Sequence, residues 1–119
     1  TLAECEQHLQ QLDGVMLGRE AYENPWLLAQ VDSVLFDSPN PCPSRSAALQ
    51  YMQPYIEAAM ARGVPMSSIT RHMLGLFRAQ PGGRAFRRVL SEGVHKPGAD
   101  WALMQHALNE VTRDVAAAA

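Results

Sequence analysis

Arg84, Arg87 and Arg88 are spaced i, i+3 and i+4, which gathers their side chains on one face of a helix. Three guanidinium groups held that close repel one another unless solvent or an anion screens them. The planar guanidinium fork matches phosphate oxygens and also stacks on flat rings. Phe86, Val89 and Leu90 take the opposite face, so the same helix buries one side and presents charge on the other. Gly82-Gly83 leads into its first turn, where free backbone N–H groups add positive potential. A second set lies just upstream. Arg71, Gly75 and Arg78 fall at i, i+4 and i+7, a shared stripe on a helix, away from the apolar Ile69, Met73, Leu76 and Phe77. A glycine there costs about 1 kcal/mol of helix propensity. Either it leaves room for a phosphate chain, or it lets another helix pack closely. Lys96 is a lesser member of the set, because a cation at a helix C-terminus is favoured by the helix dipole alone.

The charge distribution sharpens this reading. The chain has ten Lys and Arg, twelve Asp and Glu, and a net charge of −2. Residues 71 to 96 hold six of those bases and one acid, Glu92, which makes the segment +5; the remainder, four bases and eleven acids, is −7. A basic patch on an otherwise acidic chain points to a local polyanion. A solvated basic face with no ligand is the plain alternative. His72 adjoins the apolar side of the first stripe and reads as a packed or partner-bonded histidine. His8 and His106 have no matching ligands, and no metal site is expected. Cys5 and Cys42 form no CxxC pair or disulfide framework; they read as packed thiols in a cytoplasmic protein.

One further pair could do chemistry. Gly18-Arg19 directly follows the apolar run Val15-Met16-Leu17. In barrels of alternating strands and helices, the loops after the last strands and a short extra helix form a phosphate site. A glycine there admits the backbone amide to the phosphate, and an arginine supplies a bidentate charge. Gly-Arg is a common dipeptide, so spacing alone equally allows a plain strand-to-helix turn.

The elements that must position these residues are mostly helical. Thr1-x-x-Glu4 is a capping box opening a helix through Leu2, Cys5, Leu9 and Leu12. Val15 to Leu17 reads as a buried parallel strand, and Glu20 to Tyr22 as a short helix. Pro25 suits the first turn of the next helix. Asp37 to Ser44 contains Pro39, Pro41 and Pro43 and reads as a loop. Ser44 or Ser46 caps a long helix to about Arg62, with a kink expected near Tyr51 from Pro54 and Gly63 as its stop. Further helices are predicted from Ser67 to the break at Gln80, over Arg84 to Val94, and after Asp100, with Ala116 to Ala119 fraying. The fold expected is all-α: a small helical bundle over residues 47–119, joined by a linker at 37–46 to residues 1–36. Those first residues read as a remnant helix-strand-helix of a TIM (β/α)8 barrel. The orphan strand offers the one route seen to an oligomer, by pairing between chains. No apolar stretch is long enough for a membrane helix.

The wording of particular segments carries more. Asp13 to Pro25 (Asp-Gly-Val-Met-Leu-Gly-Arg-Glu-Ala-Tyr-Glu-Asn-Pro) resembles the closing strand and phosphate loop of the tRNA-dihydrouridine synthases, A type. The resemblance returns at Tyr55-Ile56-Glu57 and at Ile69 to Phe77. It continues through Pro81 to Arg84, Phe86-Arg87-Arg88, Leu90-Ser91-Glu92, His95-Lys96 and Gly98-Ala99-Asp100. It thus covers nearly the whole chain. The resemblance implies a flavin-binding barrel followed by a helical tRNA-binding domain. It implies FMN and NADPH as cofactors, and interconversion of uridine and 5,6-dihydrouridine in the tRNA D-loop, at positions 20 and 20a. By this likeness Gly18 and Arg19 would hold the FMN phosphate, and Arg84 and Arg87 match tRNA-contacting arginines. Arg88, Arg71, Arg78 and Lys96 complete the expected tRNA-binding set. The chain would be the last third or so of such an enzyme. By the same likeness it would lack the isoalloxazine contacts and the catalytic cysteine, so this polypeptide alone is expected to be inactive. Two rival readings remain: a helical module that meets an acidic protein, and the end of another flavin-dependent barrel oxidoreductase.

Overall fold

The computed structural model describes residues 1–118, with side chains through residue 112. Helices account for all its regular structure: α1 (Leu2–Leu9), α2 (Arg19–Glu23), a 3-10 helix (Pro25–Gln30), α3 (Val31–Leu35), α4 (Arg45–Ala61), α5 (Ser67–Thr70), α6 (Gly83–Gly93) and α7 (Trp101–Ala118). The all-α expectation holds for the described residues.

Local signals set most boundaries. The Thr1 hydroxyl accepts from the Glu4 amide at 3.1 Å, closing the capping box of α1. Ser44 caps α4 by accepting from the Ala47 amide at 3.1 Å. At its other end Gly63 turns left-handed (φ 90°), while the Gly63 and Val64 amides donate to the carbonyls of Met60 and Ala59. That pattern satisfies carbonyls a helix end otherwise leaves orphaned. Asp100 caps α7 through the Ala102 amide at 3.0 Å.

One core joins the second half of the chain. Leu49, Ile56 and Ala59 of α4 meet Phe86 and Leu90 of α6 and Met104, Ala107, Leu108 and Val111 of α7. Met66, Ile69, Leu76 and Phe77 close it from the segment between α4 and α6. Phe77 and Phe86 pack as tilted rings 4.7 Å apart, a favoured aromatic geometry. The apolar face assigned to α6 by periodicity is the face turned to the core, with Phe86 and Leu90 buried and Val89 packed against them.

Two expectations are corrected. Val15 to Leu17 is not a strand: residues 14–18 carry no regular structure, and Met16 is 86% exposed. A strand exists only by pairing, and no extended partner lies among the described residues. The helix from Ser67 does not reach Gln80; it ends at Thr70 and gives way to consecutive turns over 71–79. Their bonds run i to i+3, as from Met73 N to Thr70 O and Leu76 N to Met73 O. Tertiary contacts cause the change. Arg45 Nε donates to the Leu76 carbonyl at 2.9 Å, and the backbone of Glu23 is pressed against Gly75. Pro54 sits inside α4, which runs from Arg45 to Ala61. The helix α7 is assigned through Ala118; Ala119, the end of the tail expected to fray, lies outside the described residues.

The first 36 residues are docked on the bundle. α1 packs against α3 and buries Cys5. Trp26 packs against the core, with the Arg45 guanidinium 5.1 Å from its ring centroid. That is a cation–π distance. Burial lowers the Arg45 pKa from its usual value, yet a guanidinium stays charged in proteins. Between them, residues 36–44 lack regular structure.

Candidate nucleic-acid interface

The turns over 71–79 bring together what a continuous helix would have spread along a stripe. Arg71, Arg78 and Arg87 line one hollow, with Tyr22, Glu23, His72, Leu74 and Gly75. Arg71 and Arg78 come from the turns, Arg87 from the exposed face of α6, and Tyr22 and Glu23 from α2. All three arginines are exposed. A hollow with three guanidinium groups and one carboxylate carries a net positive field, and low-dielectric walls concentrate it.

Hydrogen bonds hold the floor in place. The Tyr22 hydroxyl stands 2.9 Å from His72 Nδ1, and the rings meet edge-on with centroids 5.8 Å apart. Arg71 Nε donates to His72 Nε2 at 3.1 Å. A guanidinium N–H only donates, so Nε2 accepts and Nδ1 carries the ring proton. His72 is partner-bonded, and it fixes the base of the Arg71 guanidinium while the terminal nitrogens stay free to meet a ligand.

Gly75 is small for a packing reason. A Cβ there would collide with the Glu23 carbonyl oxygen and lie 3.6 Å from Pro25 Cδ. Close packing of another element, rather than space for a phosphate chain, accounts for this glycine. Gly83 has the same kind of role, since a Cβ would meet the Phe77 carbonyl. Gly82, at φ 78°, makes the left-handed entry to α6.

Among the described residues no ion pair engages Arg84, Arg87, Arg88, Arg71 or Lys96. Arg78 has one weak, exposed partner, Glu23 Oε2 at 3.5 Å. Arg84 and Arg88 share the exposed face of α6 with Arg87. Lys96 stands apart: it borders a different hollow, with Glu92, Asp100 and His106. Gly18 and Arg19 are both exposed at the start of α2. The nearest atom to a Cβ built on Gly18 is Met16 Sδ at 3.7 Å, so the approach to its backbone is open.

Sequence reasoning missed Tyr22, Glu23 and Arg45. Their roles depend on α2 folding back onto the turns, and no local pattern announces that. The described residues contain no group of three His, Cys, Asp or Glu placed for a metal ion. They also contain no helix long and apolar enough to cross a membrane.

Comparison with known proteins bears on this surface. Over 115 residues the chain is 50% identical to the tRNA-dihydrouridine(20/20a) synthase of Vibrio parahaemolyticus, covering 97% of this chain and 35% of that protein. The protein of that name from Pseudomonas syringae is 59% identical over 96 residues, 81% of this chain and 29% of its own. The Escherichia coli protein of that name is 50% identical over 111 residues, 93% and 34% of the two chains. The chain thus spans about a third of the length of the curated relatives it matches. A family model described as dihydrouridine synthase (Dus) matches residues 1–112, from the capping box of α1 to within α7, and the chain therefore belongs to the dihydrouridine synthase family.

Proposed function

We propose that this chain supplies the RNA-gripping surface of a tRNA-dihydrouridine synthase, an oxidoreductase that reduces D-loop uridines 20 and 20a to 5,6-dihydrouridine. The observation that carries the reading is the convergence of Arg71, Arg78 and Arg87 on one hollow, continuous with Arg84 and Arg88 along α6. Exposed arginines at that density, of which Arg78 alone has an ion pair and that a weak one, suit the phosphates of a folded RNA, which proteins read mainly through shape and backbone. Lys96 serves as an outlying contact. The positions 20 and 20a follow the names of the relatives. Residues 1–36 form the end of the flavin-binding barrel in this reading, and residues 47–119 the tRNA-binding domain.

FMN is the cofactor implied, with NADPH as reductant. Gly18 and Arg19 fit one phosphate: both are exposed, Arg19 has no ion pair among the described residues, and the backbone approach is open. They would hold the phosphate end only, because one anchor is not a ring pocket. FMN held by Gly18 and Arg19 at its phosphate would supply hydride chemistry toward the uracil ring, and this chain's part would be to hold that phosphate and position the RNA.

The test is the salt dependence of tRNA binding by the full-length enzyme. Removing one arginine–phosphate interaction flattens the slope of log K against log salt by about 0.7 to 0.9. The Arg84→Ala, Arg87→Ala double variant should therefore flatten it by about 1.4 to 1.8. An unchanged slope and affinity would remove this face from RNA binding. A preference for an acidic protein over tRNA at physiological salt would favour a protein-interaction module instead.

A further inference from the structure

A second groove opens beside the basic hollow, between α5 and α6, and Arg71 and Leu74 border both. Its accessible apolar lining is the half-buried Leu74 and Val94; Leu90 borders it too but is fully buried. Ser67, Ser68 and Ser91 supply hydroxyls around it. Thr70 is the one polar residue among the buried described residues, 1% exposed, and it lines this groove.

The Thr70 hydroxyl is unpartnered: no hydrogen bond among the described residues engages it. Yet no side-chain oxygen is both sealed from solvent and unpaired, so the hydroxyl keeps an opening, and the groove is the opening it lines. A buried hydroxyl without a partner costs free energy unless something else bonds to it. The side chain is thus set to meet a ligand.

The lining selects the ligand's chemistry. A phosphate would gain little from a floor of leucine and valine, and Arg71 is the one permanent charge at the groove. A flat group with apolar faces and hydrogen-bonding edges fits better, which is the description of a nucleobase. Sequence-specific RNA recognition draws on such unstacked bases, bonded at their edges. The shared Arg71 places any such base next to a strand whose phosphates lie in the basic hollow.

We infer that the α5–α6 groove holds one unpaired nucleoside of the bound tRNA, with its base over Leu74 and Val94 and its edge bonded to Thr70. This nucleoside is distinct from the uridine that the flavin must reach. The inference rests on the tRNA-binding reading above.

Two variants of the full-length enzyme test it, Thr70→Val and Ser91→Leu, each measured with a tRNA transcript and with a fully base-paired RNA duplex. Thr70→Val keeps the shape and removes only the hydroxyl, so the melting temperature should hold. Its tRNA affinity should fall about three- to tenfold, one hydrogen bond's worth, with the salt slope unchanged. Ser91→Leu, on the exposed wall of α6, should crowd the groove and weaken tRNA by about tenfold. Neither should alter duplex binding, which offers no free base. Unchanged tRNA affinity in both variants would overturn the assignment, as would equal weakening of the duplex or a flattened salt slope. The Arg84→Ala, Arg87→Ala variant separates the two levels. If it weakens both RNAs while the groove variants weaken neither, the groove assignment alone fails. If it too leaves both RNAs unchanged, the tRNA reading fails and takes this assignment with it.

Discussion

The Tyr22 hydroxyl meets His72 Nδ1 at 2.9 Å, fifty residues apart in the chain. This bond ties α2 to the turns that carry Arg71 and Arg78, and His72 in turn accepts from Arg71. The pair therefore links the Gly-Arg segment to the basic hollow. Tyr22→Phe removes the hydroxyl and should cost about 0.5 to 1 kcal/mol, as an exposed neutral hydrogen bond does. Nitrogen NMR of His72 should report the Nδ1–H tautomer in the parent protein. A dominant Nε2–H form would contradict the donor order described here.

Gly75 is where α2 and the turns come closest. Gly75→Ala puts a Cβ into the Glu23 carbonyl, which is backbone and has little freedom to yield. Overpacking of this kind costs about 1 to 3 kcal/mol. Denaturant midpoints should fall accordingly, and Gly14→Ala, where a Cβ meets nothing within 4 Å, is the control.

Arg45 acts as a clamp. It donates to the Leu76 carbonyl at 2.9 Å and lies over Trp26. Arg45→Ala should destabilise by about 2 kcal/mol, the sum of a charged hydrogen bond and a cation–π contact. Arg45→Lys should recover only part, since an ammonium lacks the planar fork that serves both contacts. Equal melting temperatures for the parent and Arg45→Ala proteins would refute the clamp.

Glu23 is the one carboxylate in the basic hollow, 3.5 Å from Arg78. Glu23→Gln should free Arg78 and raise tRNA affinity about two- to threefold at low salt, with the gain shrinking as salt screens the surface. Weaker binding in this variant would place the RNA elsewhere.

By itself the sequence determined the helical character, most helix ends and the core faces. These depend on short-range chemistry: a serine or threonine that caps, a glycine that turns left-handed, an apolar period that buries. It also determined the clustering of charge and, by wording, the family. The tertiary structure decided the rest. Whether residues 71–79 continued as a helix depended on Arg45 and Glu23, which arrive from distant parts of the chain and take or crowd the backbone of Leu76 and Gly75. Helical periodicity is blind to such partners. The same folding turned a stripe of arginines into a hollow, exposed a partner for His72 in Tyr22, and left Val15 to Leu17 unpaired, because a strand requires a neighbour that no local run of residues provides.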